Sequence, residues 1–410
     1  MERRHFLALG GAGMALIAGC PDPTETPTPP ETPTPTATPR ERAGSIFVAP
    51  DGSDKNLGTE DAPLRTIQEG IDRAQPGQTI EPFAGNYREN LRTMRSGTRD
   101  APITITGPSD AVVVGRNEGR QLHIRHNHIH VTGLTFNGLQ NRDDPDQPES
   151  YAGQNIFVEP DIKEGESPTY LRGIKIKPYA VGNTQGACTN INLSKNVEIG
   201  AFEVIGPAGL RYLLNEESGW FGEIVYLGTF IGGVDRYKGI EMDRTNDVHV
   251  HHINNSAGHS HSNLVDAKAG THDVTIEYCT DAGGAGKVSG GQTASIAVRG
   301  RNTVVRWNKL RRGHAMGIRV GSLPIAEPEA SYTEVPESAL EEGQSNSIYQ
   351  NSIKEFAGPS IYFEIESHKQ DLICGNEYDD EISSKPDTPC PEKVPESDGI
   401  GHTGGDGPWD

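Results

Sequence analysis

Residues 264–320 read LVDAKAGTHDVTIEYCTDAGGAGKVSGGQTASIAVRGRNTVVRWNKLRRGHAMGIRV. Three short runs in this stretch alternate apolar and polar side chains: Val265 to Lys268, Ile296 to Arg299 and Ile318 to Val320. Strict alternation means a strand whose successive side chains point to opposite faces. If Val265, Ala267, Ile296, Val298, Ile318 and Val320 face inward, then Asp266, Lys268, Arg299 and Arg319 face outward. Two further strand-like pieces lie between the runs, Val274 to Cys279 and Thr303 to Asn308. The pattern is a repeat of strands and turns, a coil that stacks on itself.

The rest of the chain agrees with that reading. It has 410 residues, 33% of them hydrophobic, with 49 Gly and 29 Pro. Few core formers and many turns suit an all-β solenoid whose thin core runs along its length. Lys and Arg number 37 against 57 Asp and Glu, a formal charge of −20. This excess of acid argues against a nucleic-acid partner, which requires a basic footprint. It reads either as solubility or as adaptation to high salt, where screening tolerates self-repulsion. The cysteines are Cys20, Cys188, Cys279, Cys374 and Cys390, with no CxxC spacing to suggest zinc or redox chemistry. Cys279 reads as a buried thiol of the coil. Disulfides among the last four suit an exported protein, but their pairing is not readable from spacing.

Residues 1–20, MERRHFLALGGAGMALIAGC, are a targeting segment. Arg3-Arg4-His5-Phe6-Leu7 resembles a twin-arginine export signal, and Ile17-Ala-Gly-Cys20 resembles a lipobox. The resemblance implies cleavage before Cys20, lipidation of that cysteine, and attachment to a membrane through the lipid. The apolar part is too short for a transmembrane span. Residues 21–44 are a Pro/Thr-rich tether that favours extended polyproline-like conformations. The folded domain is expected over 45–385, followed by an acidic Gly/Pro tail over 386–410.

The domain opens with a strand, Ile46 to Ala49, and the turn Asp51-Gly-Ser-Asp54. A short amphipathic helix follows over Pro63 to Ala74, stopped by Gln75-Pro-Gly77. Next come Gln78-Thr-Ile-Glu81 and Gly85-Asn-Tyr-Arg-Glu-Asn90. This order resembles the start of right-handed parallel β-helix proteins. The resemblance implies that the helix covers the N-terminal end of the coil, where apolar area and unpaired backbone would otherwise be exposed.

A loose six-residue frame, apolar-x-apolar-x-x-(Asn or apolar), then recurs. It ends at Leu134, Asn196, Ile253, Cys279, Asn308, Asn351 and Asn376. Extra rungs are expected at Gly173–Lys177 and Gly239–Asp243. Asn196, Asn308, Asn351 and Asn376 suggest an internal amide ladder, with turn chemistry as the alternative.

Laid side by side, the rungs put Glu241 and Asp243 outward, then Asp266 and Lys268, Arg299, Arg319, and finally Tyr362, Glu364 and Glu366. A solvated ion ladder explains such a face. A strip that binds acidic polysaccharide explains it too, because Arg grips carboxylate in a fork. The chemistry such a strip suggests is β-elimination from a uronic acid. The carboxylate must be neutralised, the C5 proton removed and the leaving oxygen protonated. An Arg or a calcium ion does the first, a lysine with depressed pKa the second, and a Tyr or water the third.

Leu264-Val-Asp-Ala-Lys-Ala-Gly270 followed by Ser295-Ile-Ala-Val-Arg-Gly300 is similar to polysaccharide lyases of the alginate lyase and chondroitinase B family. The resemblance implies that Lys268 is the base and that Arg299 assists. It also implies calcium held by acids just before the lysine, where this chain has His259-Ser-His-Ser-Asn263. Glu241, Asp243 and Asp266 are the substitute oxygen ligands. The histidine runs leave open a transition-metal site, and His259 and His261 stand out as substrate or metal contacts beside Lys268. Four readings follow: a surface-anchored lyase, a C5-epimerase, a glycoside hydrolase, and a non-catalytic carbohydrate-binding or envelope protein on the same fold. The hydrolase lacks an evident carboxylate pair on one rung.

Overall fold

The computed structural model describes residues 44–116, 119–163, 166–215, 222–283, 294–312, 315–321, 338–339, 342–379 and 389–391. The signal segment with Cys20, the tether up to residue 43 and most of the tail lie outside the described residues.

The chain forms a right-handed parallel β-helix. The described strands make two parallel sheets, of nine and nineteen strands. The nine-stranded sheet runs in chain order through Leu91–Arg92, Arg120–Ile124, Gln154–Val158, Thr189–Ile191, Val225–Leu227, Val265–Ala267, Ala294–Val298, Met316–Val320 and Ile361–Phe363. The nineteen-stranded sheet supplies the other two sides of each coil. The long strands Ser194–Val204 and Asn246–Asn255 run through the bend between those sides.

The inward residues expected from the alternation do form the core. Val265, Ala267, Ile296, Val298, Ile318 and Val320 are all buried in one continuous cluster. Full burial of such a side chain contributes about 1.5–3 kcal/mol, and each coil repeats the gain.

Each coil turns on two left-handed residues that bracket the frame. The first corner holds His128, Gly173, Asn196, Asp247, Asp273, Asn302 and Ser345, all at positive φ. The second holds Gly133, Ala201, His252, Tyr278, Trp307, Gln350 and Gly375. Asn, Asp and Gly are at home there because they tolerate this region best.

The amide ladder exists but is shorter than the sequence suggested. Asn308 Nδ2 donates to Asn351 Oδ1 at 3.0 Å, and Asn351 Nδ2 to Asn376 Oδ1 at 2.9 Å. Asn196 is not part of it. It is a first-corner residue and donates to Asp247 Oδ2 at 3.2 Å. Phe202 takes the expected place, since Val197, Ile199 and Phe202 pair with Val248, Val250 and Ile253.

Of the two extra rungs expected, the first is the strand Leu171–Lys177. The second is not a strand: Gly239 sits at φ 77, and Met242 packs in a small satellite cluster with Ala269 and Ala339. The helix forms over Ile67–Arg73. The Thr66 side chain and the buried Glu89 carboxylate accept its first N–H groups. Ile67, Ile71 and Ala74 join the main core. Cys374 and Cys390 form a disulfide, whereas Cys188 and Cys279 are buried thiols. Among the described residues, no helix is long and apolar enough to cross a membrane.

Candidate active site

Strand register on the nine-stranded sheet fixes two outward columns. One runs Tyr226, Asp266, Ala297, Arg319, Tyr362. The second lies one residue beyond the paired ends of the same strands. There Lys268, Arg299, Gly321 and Glu364 each donate a backbone N–H to the preceding rung. Lys268 and Arg299 are therefore cross-strand neighbours on one face, about 4.7–4.9 Å apart at the backbone.

The face is not the solvated strip that alternation alone suggests. Asp266 is 1% exposed, Lys268 8% and Arg319 7%, and Arg299 is half-buried. They point away from the apolar core yet are covered. Lys268 Nζ lies 2.5 Å from Asp266 Oδ2 and 4.3 Å from the centre of the Tyr226 ring. Arg299 Nε lies 3.3 Å from Asp266 Oδ1. Arg319 Nη2 donates to Glu364 Oε1 at 2.8 Å. Tyr362, 38% exposed, follows Arg319 in its column.

Burial sets the protonation of this cluster. It pulls the Lys268 ammonium below its ordinary range, and Arg299 adds to the shift while Asp266 opposes it. Burial would raise Asp266, but Arg299 and Lys268 outweigh it and hold the carboxyl below its usual range. Burial pushes the Tyr226 phenol well up, so it keeps its proton. Burial also raises Glu223, whose Oε2 accepts from Gly222 N at 2.9 Å. Two cations thus share Asp266, next to an acid that favours its neutral form.

Neither Tyr226 nor Glu223 was singled out from the sequence. Glu223-Ile-Val-Tyr-Leu227 carries the signal, because Val225 and Leu227 alternate around Tyr226 as Val265 and Ala267 do around Asp266.

The acids proposed for calcium do not form one donor set. Asp243 is fully buried, and its carboxylate accepts from Leu193 N, Thr229 Oγ1, Thr245 N and Thr245 Oγ1 at 2.7–3.0 Å. Glu241 is exposed, with Ser338 Oγ at 3.3 Å. Asp266 belongs to the lysine and arginine. No group of three or more His, Cys, Asp or Glu fit to hold a metal occurs among the described residues. Among the described residues, Glu241, Asp243 and Asp266 do not come together as one calcium site, and the histidine runs do not assemble a transition-metal site. His259 is half-buried, with its N–H on Asn255 Oδ1 at 2.8 Å. His261 is buried, and its N–H bonds Gly222 O at 3.0 Å, beside Glu223.

No family model matches the chain. A segment of 104 residues, 23% of this chain, is 34% identical to the uncharacterized protein YwoF of Bacillus subtilis (strain 168). Another comparison gives 39% identity over 79 residues, 18% of this chain, with pectate lyase PEL9 of Emericella nidulans. The matches span 22% and 19% of those two relatives. Among solved structures, the alginate lyase from Paenibacillus sp. str. FPU-7 superposes with a TM-score of 0.58 at 17% identity, over 83% of this chain and 99% of that one. At that identity the likeness concerns the fold. The chain is thus similar in architecture to a lyase along most of its length, and similar in sequence to a lyase over a shorter segment.

Proposed function

We propose that the chain is a polysaccharide lyase that cleaves a uronate-containing polysaccharide by β-elimination. The observation that carries the reading is a buried lysine with lowered pKa, flanked in register by Arg299 and lying over the Tyr226 ring, 4.3 Å from its centre, where the phenol keeps its proton. The uronate carboxylate is neutralised by Arg299 and Arg319, which acidifies the C5 proton. Lys268, whose ammonium burial pulls below its ordinary range, takes that proton in its deprotonated form. The electron pair forms the C4–C5 double bond, and the C4–O bond breaks. The leaving oxygen takes the Tyr226 proton, with Tyr362 at the open end of the column as the other phenol. Every step here is carried by the chain's own side chains, since the acids named for calcium do not form one donor set among the described residues. The similarity to pectate lyase PEL9 and to the alginate lyase fold supports the substrate class. Export and lipid attachment at Cys20 belong to the same proposal, and the charge of −20 suits a salty exterior.

One observation favours a second reading. The tight Lys268–Asp266 pair is covered, as expected of a structural ion pair in a binding protein.

The test is ultraviolet absorbance of the conjugated double bond, with alginate, polygalacturonate and glycosaminoglycans as substrates, with and without calcium and at low and high salt. The expected result is a rise with at least one uronide that is absent in Lys268→Ala. A folded protein that yields no absorbance with any of them supports the binding reading instead.

A further inference from the structure

The outward column of Tyr226 and Asp266 continues toward the N-terminus through Asn190, Phe157 and His123. Around Phe157 three arginines gather. Arg120 places Cζ 3.4 Å from the Phe157 ring centre. Arg125 pairs with Asp161. Arg236 Nη2 lies 2.8 Å from Glu159 Oε1, and its guanidinium lies over the Tyr237 ring at 4.7 Å. The charges of Arg236 and Arg125 both act on Arg120. Burial, with Arg120 and Arg125, holds His123 down to about 3, so its imidazole is neutral. Three permanent cations thus share Glu159 and Asp161, in a chain whose net charge is −20.

The same patch presents hydrogen-bonding atoms with no partner among the described residues: Asn192 Oδ1, His123 Nε2 and Arg125 Nε. Asn192 is 3% exposed, so its idle oxygen is a costly buried acceptor unless something fills the gap. The patch shares the outward column of the Lys268 cluster, in which His123, Phe157 and Asn190 lead in register to Tyr226 and Asp266.

Arg120 lies four strands from Val265–Ala267 in the sheet. At the spacing of parallel strands that is roughly 19 Å. One strand spacing is close to the length of one hexuronate unit in an extended chain.

We propose that Arg120, Arg125 and Arg236 form a distal subsite for the same acidic polymer. It takes a uronate carboxylate roughly three or four units from the reacting bond, one unit per strand, and lays the chain along the solenoid axis. Arg236, the most exposed of the three, meets the carboxylate. The Phe157–Arg120 stack forms the floor, with Asn192 Oδ1 and His123 Nε2 buried in the same patch. The substrate class and the count from the reacting bond rest on the lyase reading above; binding of an acidic chain at the arginine patch does not.

The test is calorimetric binding of sized oligomannuronates, oligoguluronates and oligogalacturonates, trimers against hexamers, to the wild type, Arg236→Gln and Arg120→Gln. Melting curves establish that each variant is folded, and the exposed Arg236 serves should Arg120→Gln fail to fold. The expected result is wild-type affinity for one hexamer about tenfold or more above its trimer, equivalent to about 1.4 kcal/mol. In the variants trimer and hexamer then bind alike. Wild type without length dependence, or variants that keep it, overturns the subsite. Normal length-dependent binding without any double-bond product would instead sink the lyase chemistry and leave the subsite standing.

Discussion

Two charged clusters sit on the two sheets of this solenoid, and they are built on different rules. On the nineteen-stranded sheet one column runs His251, Glu277, Arg306, Tyr349, so an acid lies between a histidine and an arginine on adjacent strands. Arg306 Nε donates to Glu277 Oε2 at 2.6 Å and Nη1 to Tyr349 Oη at 2.9 Å, while His249 Nε2 meets Glu277 Oε1 at 2.8 Å. Next to it, Glu198 receives Lys175 and Lys177 at 2.8 and 2.9 Å. Charge is matched strand by strand. On the nine-stranded sheet Ala297 separates Asp266 from Arg319, Lys268 and Arg299 converge on one carboxylate, and Glu223 Oε1 has no partner among the described residues. A matched column serves stability. Two basic side chains on one carboxylate is the imbalance that, under the proposed lyase reading, a substrate's carboxylate completes.

Mutation sharpens the contrast first where the effect is largest. Lys268→Ala should lower kcat about a thousandfold, in line with loss of a general base, while the protein still melts cooperatively. Glu277→Leu should do the reverse. It leaves Arg306 and His249 without their shared acid, and breaking a buried pair typically costs about 3–5 kcal/mol. Thermal denaturation then drops steeply, with turnover at permissive temperature near wild type. If Glu277→Leu spares stability and removes turnover, the contrast is inverted and the active site lies on the other sheet.

Acid should break the matched cluster at intermediate strength. Burial works to raise Glu277, but the bonds from His249 and Arg306 outweigh it and hold the carboxyl at about 2, down from 4.5. A depressed folded pKa gives stability that is present above the unfolded value and lost as pH falls through the folded one. The Glu277 contribution, on the order of 3 kcal/mol, should therefore fade between about pH 4.5 and pH 2. His251, lowered chiefly by burial, adds a loss of the same sign that begins below its ordinary value. Melting temperature against pH, in wild type and Glu277→Leu, checks this: the acid slope should be shallower in the variant.

The smallest effect belongs to the ladder. Asn351→Ala removes the bonds to Asn376 Oδ1 and to the Val305 and Tyr349 carbonyls. It should cost about 1–3 kcal/mol by leaving buried groups unsatisfied. Chemical denaturation would show it, with no change in product absorbance.

Inward periodicity made the coil legible, because a two-residue period admits one core face. Lys268 and Arg299 were legible as neighbours for the same reason. What failed did so where turns imitate strands. Ile191-Asn-Leu193 alternates like a strand, yet Leu193 sits at φ 46 with its N–H on Asp243 Oδ2, and the true frame starts at Val197. Ile240-Glu-Met242 alternates too, but its apolar side chains serve two small loop clusters and not the main core. That displaced the rung before Asp266, and Tyr226 went unseen. Burial of the charged face was not legible, since which segments cover an outer column is a tertiary fact.

The amide ladder has a mechanical consequence. Stacked coils hold mainly to their neighbours, so a solenoid opens like a zip from its weaker end. Asn308, Asn351 and Asn376 clamp the last coils, and the Cys374–Cys390 crosslink fastens the end of the track. Earlier coils carry Leu134, Phe202, Ile253 and Cys279 in the same position, where grease replaces the teeth. Pulled from both ends, this molecule should part first on its N-terminal side, and the Lys268 coil lies just ahead of where the teeth begin.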